Sequence, residues 1–215
     1  MKKPTEPRVD RERLVRDIAA ATGIRDARLL DAFRRVPRER FVPEPLAANA
    51  YADRALPIGL EQTISQPSMI ALMFAALDPK AHERALEVGA GSGYAAALLS
   101  RLVAEVDAVE ILPQLAERAR ATLANLEVAN VTVRQGHGEL GLAERAPFDV
   151  ILVSAGARST PHALVEQLAP GGRIAIPVGS ESSQRLLLGR RHTNGSVEWE
   201  RRTACVFVPL VTQSA

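Results

Sequence analysis

The amino-acid sequence predicts an α/β fold, a mostly parallel sheet covered by helices on both faces and finished at one edge by antiparallel strands. Three observations carry this. From Ser68 onward, short apolar runs alternate with amphipathic segments, the pattern of a parallel sheet buried on both sides. A glycine-rich turn, "LEVGAGSGY" at 86–94, joins the first of those runs to a helical segment. After the last helical segment the alternation stops, and two strand-like runs flank Asn194-Gly195, a strong hairpin signal.

The elements follow in order. Residues 1–9 carry two prolines and several charges and are expected to form a flexible tail. "DRERLVRDIAAATG" reads as a helix with Asp10 as N-cap and Gly23 just past its end. "RDARLLDAFRRV" reads as a second helix, stopped before Pro37 because a residue preceding proline avoids the helical region. Residues 37–62 are punctuated by prolines and are expected to be an irregular connection laid over the core. Beyond them, helices are expected at 68–78, 94–103, 113–127 and 161–172, the last with a glycine stop. Strands are expected at 84–89, 105–111, 130–136, 148–156 and 173–179, with the hairpin completing the sheet. The reading is one domain over residues 10–215: a helical and irregular extension at 10–58 and a cofactor-binding core at 59–215.

Composition narrows the classes. The chain has 215 residues, 47% of them apolar and 24% charged, with a net charge of +2. All but three of the 27 basic residues are arginine, but they are scattered among acids and form no stripe, so a nucleic-acid partner is not expected. The longest apolar run, "MIALMFAAL", falls far short of the roughly 20 residues that span a bilayer, and the N-terminal residues contain no apolar signal region. The single cysteine, Cys205, lies in "ACVFVPL" and is expected to be a buried structural thiol in a reducing cytoplasm. The motifs hold no cluster of metal ligands, so no metal is expected, and the chain is expected to be a monomer.

The glycine turn carries the chemistry. Glycines let the backbone turn sharply and approach a ligand, whose polar groups meet the free N–H groups at the start of the helix. A dinucleotide fingerprint needs glycine at the sixth position from Gly89, but that position is Tyr94. The pattern is instead G-x-G-x-G, with Glu87 two residues upstream. An acid there is awkward beside a pyrophosphate and suits a ligand bearing an ammonium and a sulfonium, which describes S-adenosylmethionine. Glu110, at the end of the next strand, is placed to accept hydrogen bonds from ribose hydroxyls. These features argue against a nicotinamide-dependent oxidoreductase. A non-catalytic, cofactor-bound scaffold is the third class.

"LEVGAGSGY", "AVE", "APFDVILVSAGA", "LVEQLAPGGRIAIPVG" and "VFVPL", with "VPRERFV" and "LPIGLEQTISQPSM" upstream, resemble the protein-L-isoaspartate O-methyltransferases over nearly the whole chain after the tail. The resemblance implies a Rossmann-like, seven-stranded class I methyltransferase fold. It implies S-adenosyl-L-methionine as methyl donor and, as acceptor, an isoaspartyl carboxylate in a damaged protein or peptide; another aspartyl or peptide carboxylate is the alternative. Carried across by motif, Gln62, Thr63, Ile64 and Ser65 would line the cofactor and acceptor pocket, with Ser65 catalytic. Gly89, Ala90, Gly91, Ser92 and Gly93 would hold the methionine part, Glu110 the ribose, and His137 and Gly138 the adenine. Read without the resemblance, Ser65 stands two residues before Pro67 and is better read as support for a helix start, and one residue could do both.

A carboxyl group with an ordinary pKa near 4 is already ionised at neutral pH, so its methylation needs no general base. What remains is alignment, which can lower a barrier by roughly 7–11 kcal/mol, and exclusion of water from a reaction that neutralises charge.

Two residues depart from the family pattern. Glu61 stands where glycine is usual and would repel an anionic acceptor unless it faces solvent or is offset by Arg54. His137 replaces the usual acid, which predicts weaker cofactor binding at mildly acidic pH. Asn194-Gly195, a pair prone to succinimide formation, makes the chain a candidate substrate of its own activity.

Overall fold

A computed structural model of the chain describes residues 7–211, with side chains from residue 9. Seven strands form one sheet in the order β5-β4-β3-β6-β7-β8-β9. They are β3 (Arg84–Val88), β4 (Glu105–Glu110), β5 (Val131–Gln135), β6 (Phe148–Val153), β7 (Leu168–Ser180), β8 (Ser183–Arg191) and β9 (Val197–Cys205). β3 to β7 pair in parallel, whereas β7–β8 and β8–β9 are antiparallel. The apolar runs lie where a doubly covered sheet needs them: Leu86, Val88, Val106, Ala108, Val150 and Ile151 are each completely buried or nearly so. The chain leaves β3 towards β4 and β5 on one side, then returns to β6 on the other. The C-terminal ends of β3 and β6 therefore bound the crevice where such sheets bind ligands.

The helices are α1 (Pro7–Thr22), α2 (Ala27–Arg35), α3 (Pro67–Leu77), α4 (Tyr94–Leu99), α5 (Pro113–Asn125) and α6 (His162–Glu166). α2 starts two residues later than expected, at Ala27, because Asp26 caps it: Asp26 Oδ1 accepts from Arg28 N (2.8 Å) and Leu29 N (3.3 Å). α1 differs: it starts at Pro7, a residue suited to the first turn, and Asp10 is not its N-cap but lies within that turn, paired with Arg13 at 2.7 Å. The predicted tail thus falls largely on residues 1–6, outside the described residues.

Three further boundaries differ from expectation. α4 ends at Leu99, where Ser100 caps it, four residues early. α6 has only five residues, because Leu168 already pairs with Phe148 and Ala169 precedes a proline. The "glycine stop" is instead an irregularity inside β7, with Gly171 at φ +81°. The third lies in the stretch expected to be irregular, where β1 (Leu56–Gly59) and β2 (Gln62–Ile64) form a small antiparallel hairpin.

The tip of that hairpin is Leu60-Glu61, with φ of 53° and 58°. Positive φ at both central positions is the geometry that favours Asn-Gly, so Leu-Glu gave no turn signal. Glu61 is exposed, as is Arg54. The usual glycine would sit here without strain, and a left-handed conformation costs an L-residue about 1–2 kcal/mol. Part of that is returned by the greater chain entropy of unfolded glycine. Glu61→Gly is therefore expected to stabilise the protein by about 1 kcal/mol, read as a raised urea midpoint at unchanged slope.

Around Asn194-Gly195, β8 and β9 form the expected hairpin through a longer loop. Gly195 N donates to His192 O (3.0 Å), and Asn194 Oδ1 accepts from Ser196 N (3.0 Å) and Ser196 Oγ (2.7 Å). Cyclisation needs the Gly195 nitrogen to attack the Asn194 side chain, and both groups are engaged. Conversion at this pair is expected to be at least tenfold slower in the folded protein than in a peptide of residues 190–199. Mass spectrometry of aged samples checks this.

Candidate active site

The glycine turn leaves β3 at the switch point with all three glycines at positive φ: Gly89 at 84°, Gly91 at 53° and Gly93 at 86°. Gly89 N and Ala90 N both donate to Val109 O (2.8 and 3.1 Å), tying the turn to the end of β4. Gly93 caps α4, and a Cβ there would stand 3.2 Å from that of Ala119, so its glycine serves packing against α5. Glu110 closes β4. Its Oε2 accepts from Gly91 N (2.7 Å) and its Oε1 from Leu112 N (3.0 Å), which fixes the carboxylate at the cleft with lone pairs to spare.

Three contiguous hollows open at this point. The first, about 720 Å³, is lined by Gln62, Thr63, Gly89, Gly91, Glu110 and Gly138, with the closing segment Val208–Val211 as a wall. The second, about 290 Å³, lies deeper and is lined by Thr63, Ile64, Ser65, Glu87, Gly89, Ala90, Gly91 and Ser92. The third, about 730 Å³, is lined by Thr63, Ser65, Gln66, Met69 and the 204–208 segment. Thr63 and Ser154 belong to all three, so the hollows form one cleft running from Glu110 past Ser65.

Glu87 sits in the deep hollow, 1% exposed. Its Oε1 accepts from Ser154 Oγ at 2.9 Å, and its Oε2 makes no hydrogen bond of ordinary geometry. Burial pushes its pKa up to about 8; the Ser154 hydrogen bond and the Ala96 backbone oppose this, and the Glu110 charge adds to it. A buried carboxyl that lines the hollow and has one oxygen without a hydrogen bond suits a neighbouring cationic group.

Ser65 is half-buried where the second and third hollows meet. It does not cap α3. That helix starts at Pro67, its N-cap Gln66 makes no side-chain cap bond, and Asp53 Oδ1 accepts from Ser68 N at 2.8 Å instead. Asp53 Oδ2 also accepts from Gln66 Nε2 at 3.0 Å. Ser65 therefore lines the cleft without a capping duty.

The cleft thus brings together Gln62, Thr63, Ile64, Ser65, Glu87, Gly89, Ala90, Gly91, Ser92, Glu110 and Gly138. It leaves out Gly93, and also His137, whose exposed side chain stands 3.9 Å from Glu139 while the next residue, Gly138, lines the wall. A Cβ on Gly138 would meet Val88 Cγ1 at 2.6 Å, which explains a glycine there. Cys205 is half-buried rather than buried, because it ends the edge strand β9 on the wall of the third hollow. Partial burial raises its thiol pKa, against a nucleophilic role. Sequence reading missed Ser154 and Asp53; a serine at the carboxyl end of the strand beside the glycine loop was the available signal for the first. Among the described residues, no group of three His, Cys, Asp or Glu could hold a metal, and no helix is long and apolar enough to cross a membrane.

Comparison with known proteins agrees with this geometry. Residues 9–215 match the family described as protein-L-isoaspartate(D-aspartate) O-methyltransferase. A protein-L-isoaspartate O-methyltransferase of Anaeromyxobacter dehalogenans is 55% identical over 190 residues, 87% of this chain and 91% of that one. Its counterpart in Trichlorobacter lovleyi is 46% identical over 205 residues, 95% and 94% of the two chains. A solved protein-L-isoaspartate O-methyltransferase superposes with a TM-score of 0.84 at 29% identity, covering 94% of this chain and 66% of its own. A Plasmodium falciparum structure, titled as a putative member in complex with S-adenosyl-L-homocysteine, shares the fold with a TM-score of 0.81 at 24% identity and 94% and 98% coverage. The chain belongs to the protein-L-isoaspartate(D-aspartate) O-methyltransferase family.

Proposed function

We propose that this chain methylates the free carboxylate of isoaspartyl residues in damaged proteins and peptides, with S-adenosylmethionine as donor. The observation that carries the reading is the single cleft that joins an acid-lined, glycine-walled end to a second opening at Ser65. S-adenosylmethionine, when bound, supplies a methyl group activated by a sulfonium. Glu110, already oriented by two backbone N–H groups, accepts from ribose hydroxyls, and Gly138, on the wall of the same hollow, lies beside the adenine. Glu87, on the wall of the deep hollow, pairs with the ammonium, and the glycine turn follows the methionine part. Ser65 donates a hydrogen bond to the acceptor carboxylate and holds it in line with the methyl group. No residue need remove a proton, since the acceptor is ionised. Apolar walls from Ile64, Met69, Phe207 and Val208 keep water from a step in which opposite charges cancel.

The test uses isotopically labelled donor and a synthetic isoaspartyl peptide. A methyl ester is expected, and mild base should release the label as methanol. Base-stable label, on nitrogen or carbon, would refute carboxyl transfer.

A further inference from the structure

Arg38 has no place in the chemistry above, yet it is completely buried beside the cleft. Its guanidinium donates to four main-chain carbonyls drawn from two stretches of chain. Nη1 reaches Ala50 O (2.5 Å) and Ala52 O (3.3 Å), and Nη2 reaches Arg54 O (3.1 Å) and Ser65 O (3.0 Å). Its Cζ lies 5.6 Å from the ring centroid of Tyr94, the first residue of the helix that the glycine turn enters. Among the described residues, no carboxylate comes within ion-pair distance of it.

Burying a cation without a carboxylate is expensive, and an apolar side chain would fill the same space. What an apolar side chain lacks is the planar fork that can hold several carbonyls in fixed directions. Three of those carbonyls belong to residues 50–54, the stretch that also carries Asp53, which grips Gln66 and Ser68. The fourth belongs to Ser65 itself. The peptide unit of Ser65 is thus held on one side by Arg38 and just downstream by Asp53, while the Tyr94 contact refers both to the glycine turn.

We propose that Arg38 is a positioning residue for methyl transfer, fixing the Ser65 main chain relative to the donor end of the cleft through its bond to the Ser65 carbonyl. This rests on the reading of Ser65 as the residue that meets the acceptor. Loss of the bond lets residues 63–66 shift, which misaligns the acceptor but leaves the donor's own contacts at Glu87, Glu110 and Gly138 in place. A displacement of about 1 Å can reduce a rate by as much as 100-fold.

The test compares Arg38→Met and Arg38→Lys with the unaltered protein at 10 °C. The Met variant is expected to lower kcat on an isoaspartyl peptide about 30-fold, with S-adenosylhomocysteine affinity by calorimetry kept within threefold. Lysine, which keeps the charge and one or two of the four bonds, should fall between. Amide exchange across residues 62–68 should quicken at least tenfold in Arg38→Met, with β3 and β6 unchanged. That readout needs no acceptor, so it judges this proposal even if the unaltered protein methylates no isoaspartyl peptide, a result that would sink the proposed function instead. Unchanged exchange across 62–68 overturns the proposal. So does a loss of S-adenosylhomocysteine affinity that parallels kcat, or failure of both variants to fold with that ligand present, since Arg38 would then serve the fold as a whole.

Discussion

Glu87→Gln is expected to weaken S-adenosylhomocysteine binding about 100-fold at pH 7.5 and to remove its dependence on pH. The size follows from the loss of a buried, charge-assisted contact to an ammonium, worth roughly 1.5–3 kcal/mol. The pH dependence follows from the pKa near 8 in the free protein, where burial holds the carboxyl protonated at neutrality. Pairing with an ammonium favours the ionised form, so binding releases a proton. Affinity should therefore rise by up to about tenfold per pH unit from pH 6 to 7.5 in the unaltered protein. Calorimetry in buffers of different ionisation enthalpy should report that proton, and the glutamine variant should report none. His137→Asn discriminates the rival source of the same trend: its side chain lies outside the cleft, so the slope should survive that change.

Burial of Glu87 also makes the stability of the free protein depend on pH. A carboxyl whose folded pKa is raised contributes stability fully below its unfolded pKa, about 4.5, and loses it as pH rises through about 8. The unaltered protein should therefore lose stability between those limits, whereas Glu87→Gln should not. The gap should reach a few kcal/mol at pH 8.5, bounded above by about 1.4 kcal/mol for each pH unit that separates the folded and unfolded pKa values.

Ser65→Ala is expected to lower kcat on an isoaspartyl peptide by 10- to 100-fold, with S-adenosylhomocysteine affinity unchanged. A hydroxyl bonded to an ionised carboxylate is worth roughly 1.5–3 kcal/mol, and α3 does not depend on Ser65 for its cap. The melting temperature should accordingly move by no more than a few degrees. A variant that loses stability and activity together would return Ser65 to a structural role.

The sequence was most informative where periodicity and special backbone geometry coincide. The parallel sheet, its antiparallel end and the glycine turn at the head of α4 were legible because each rests on local rules: alternation, an Asn-Gly signal and glycines at positive φ. The hairpin β1–β2 was not legible, because its turn is made by Leu60-Glu61 against local preference and held in place by the surrounding fold. The short α6 and long β7 were hidden for a related reason: pairing of Leu168 with Phe148 across the sheet outweighs the helical look of "LVEQLAPGG". In the cleft, Glu87, Glu110 and the "QTIS" residues could be named from motif and spacing. Asp53, Ser154 and Arg38 were not named, since their roles depend on contacts from residues 12 to 67 positions away, although the place of Ser154 at a strand end beside the glycine loop offered a signal.

Glu61, the departure that most threatened the acceptor assignment, lies exposed at the hairpin tip. It is not among the residues lining the opening proposed for the acceptor at Ser65, which include Met69, Phe207 and Val208.

The most direct measurement is methyl transfer to two synthetic peptides of identical sequence, one with isoaspartate and one with ordinary aspartate at a single position. In the first, the main chain runs through the side-chain carboxyl and leaves the α-carboxylate free to enter the opening at Ser65. The account predicts a kcat/KM at least 100-fold higher for the isoaspartyl peptide. Equal rates on both peptides, or no transfer to either while S-adenosylhomocysteine binds tightly, would contradict it.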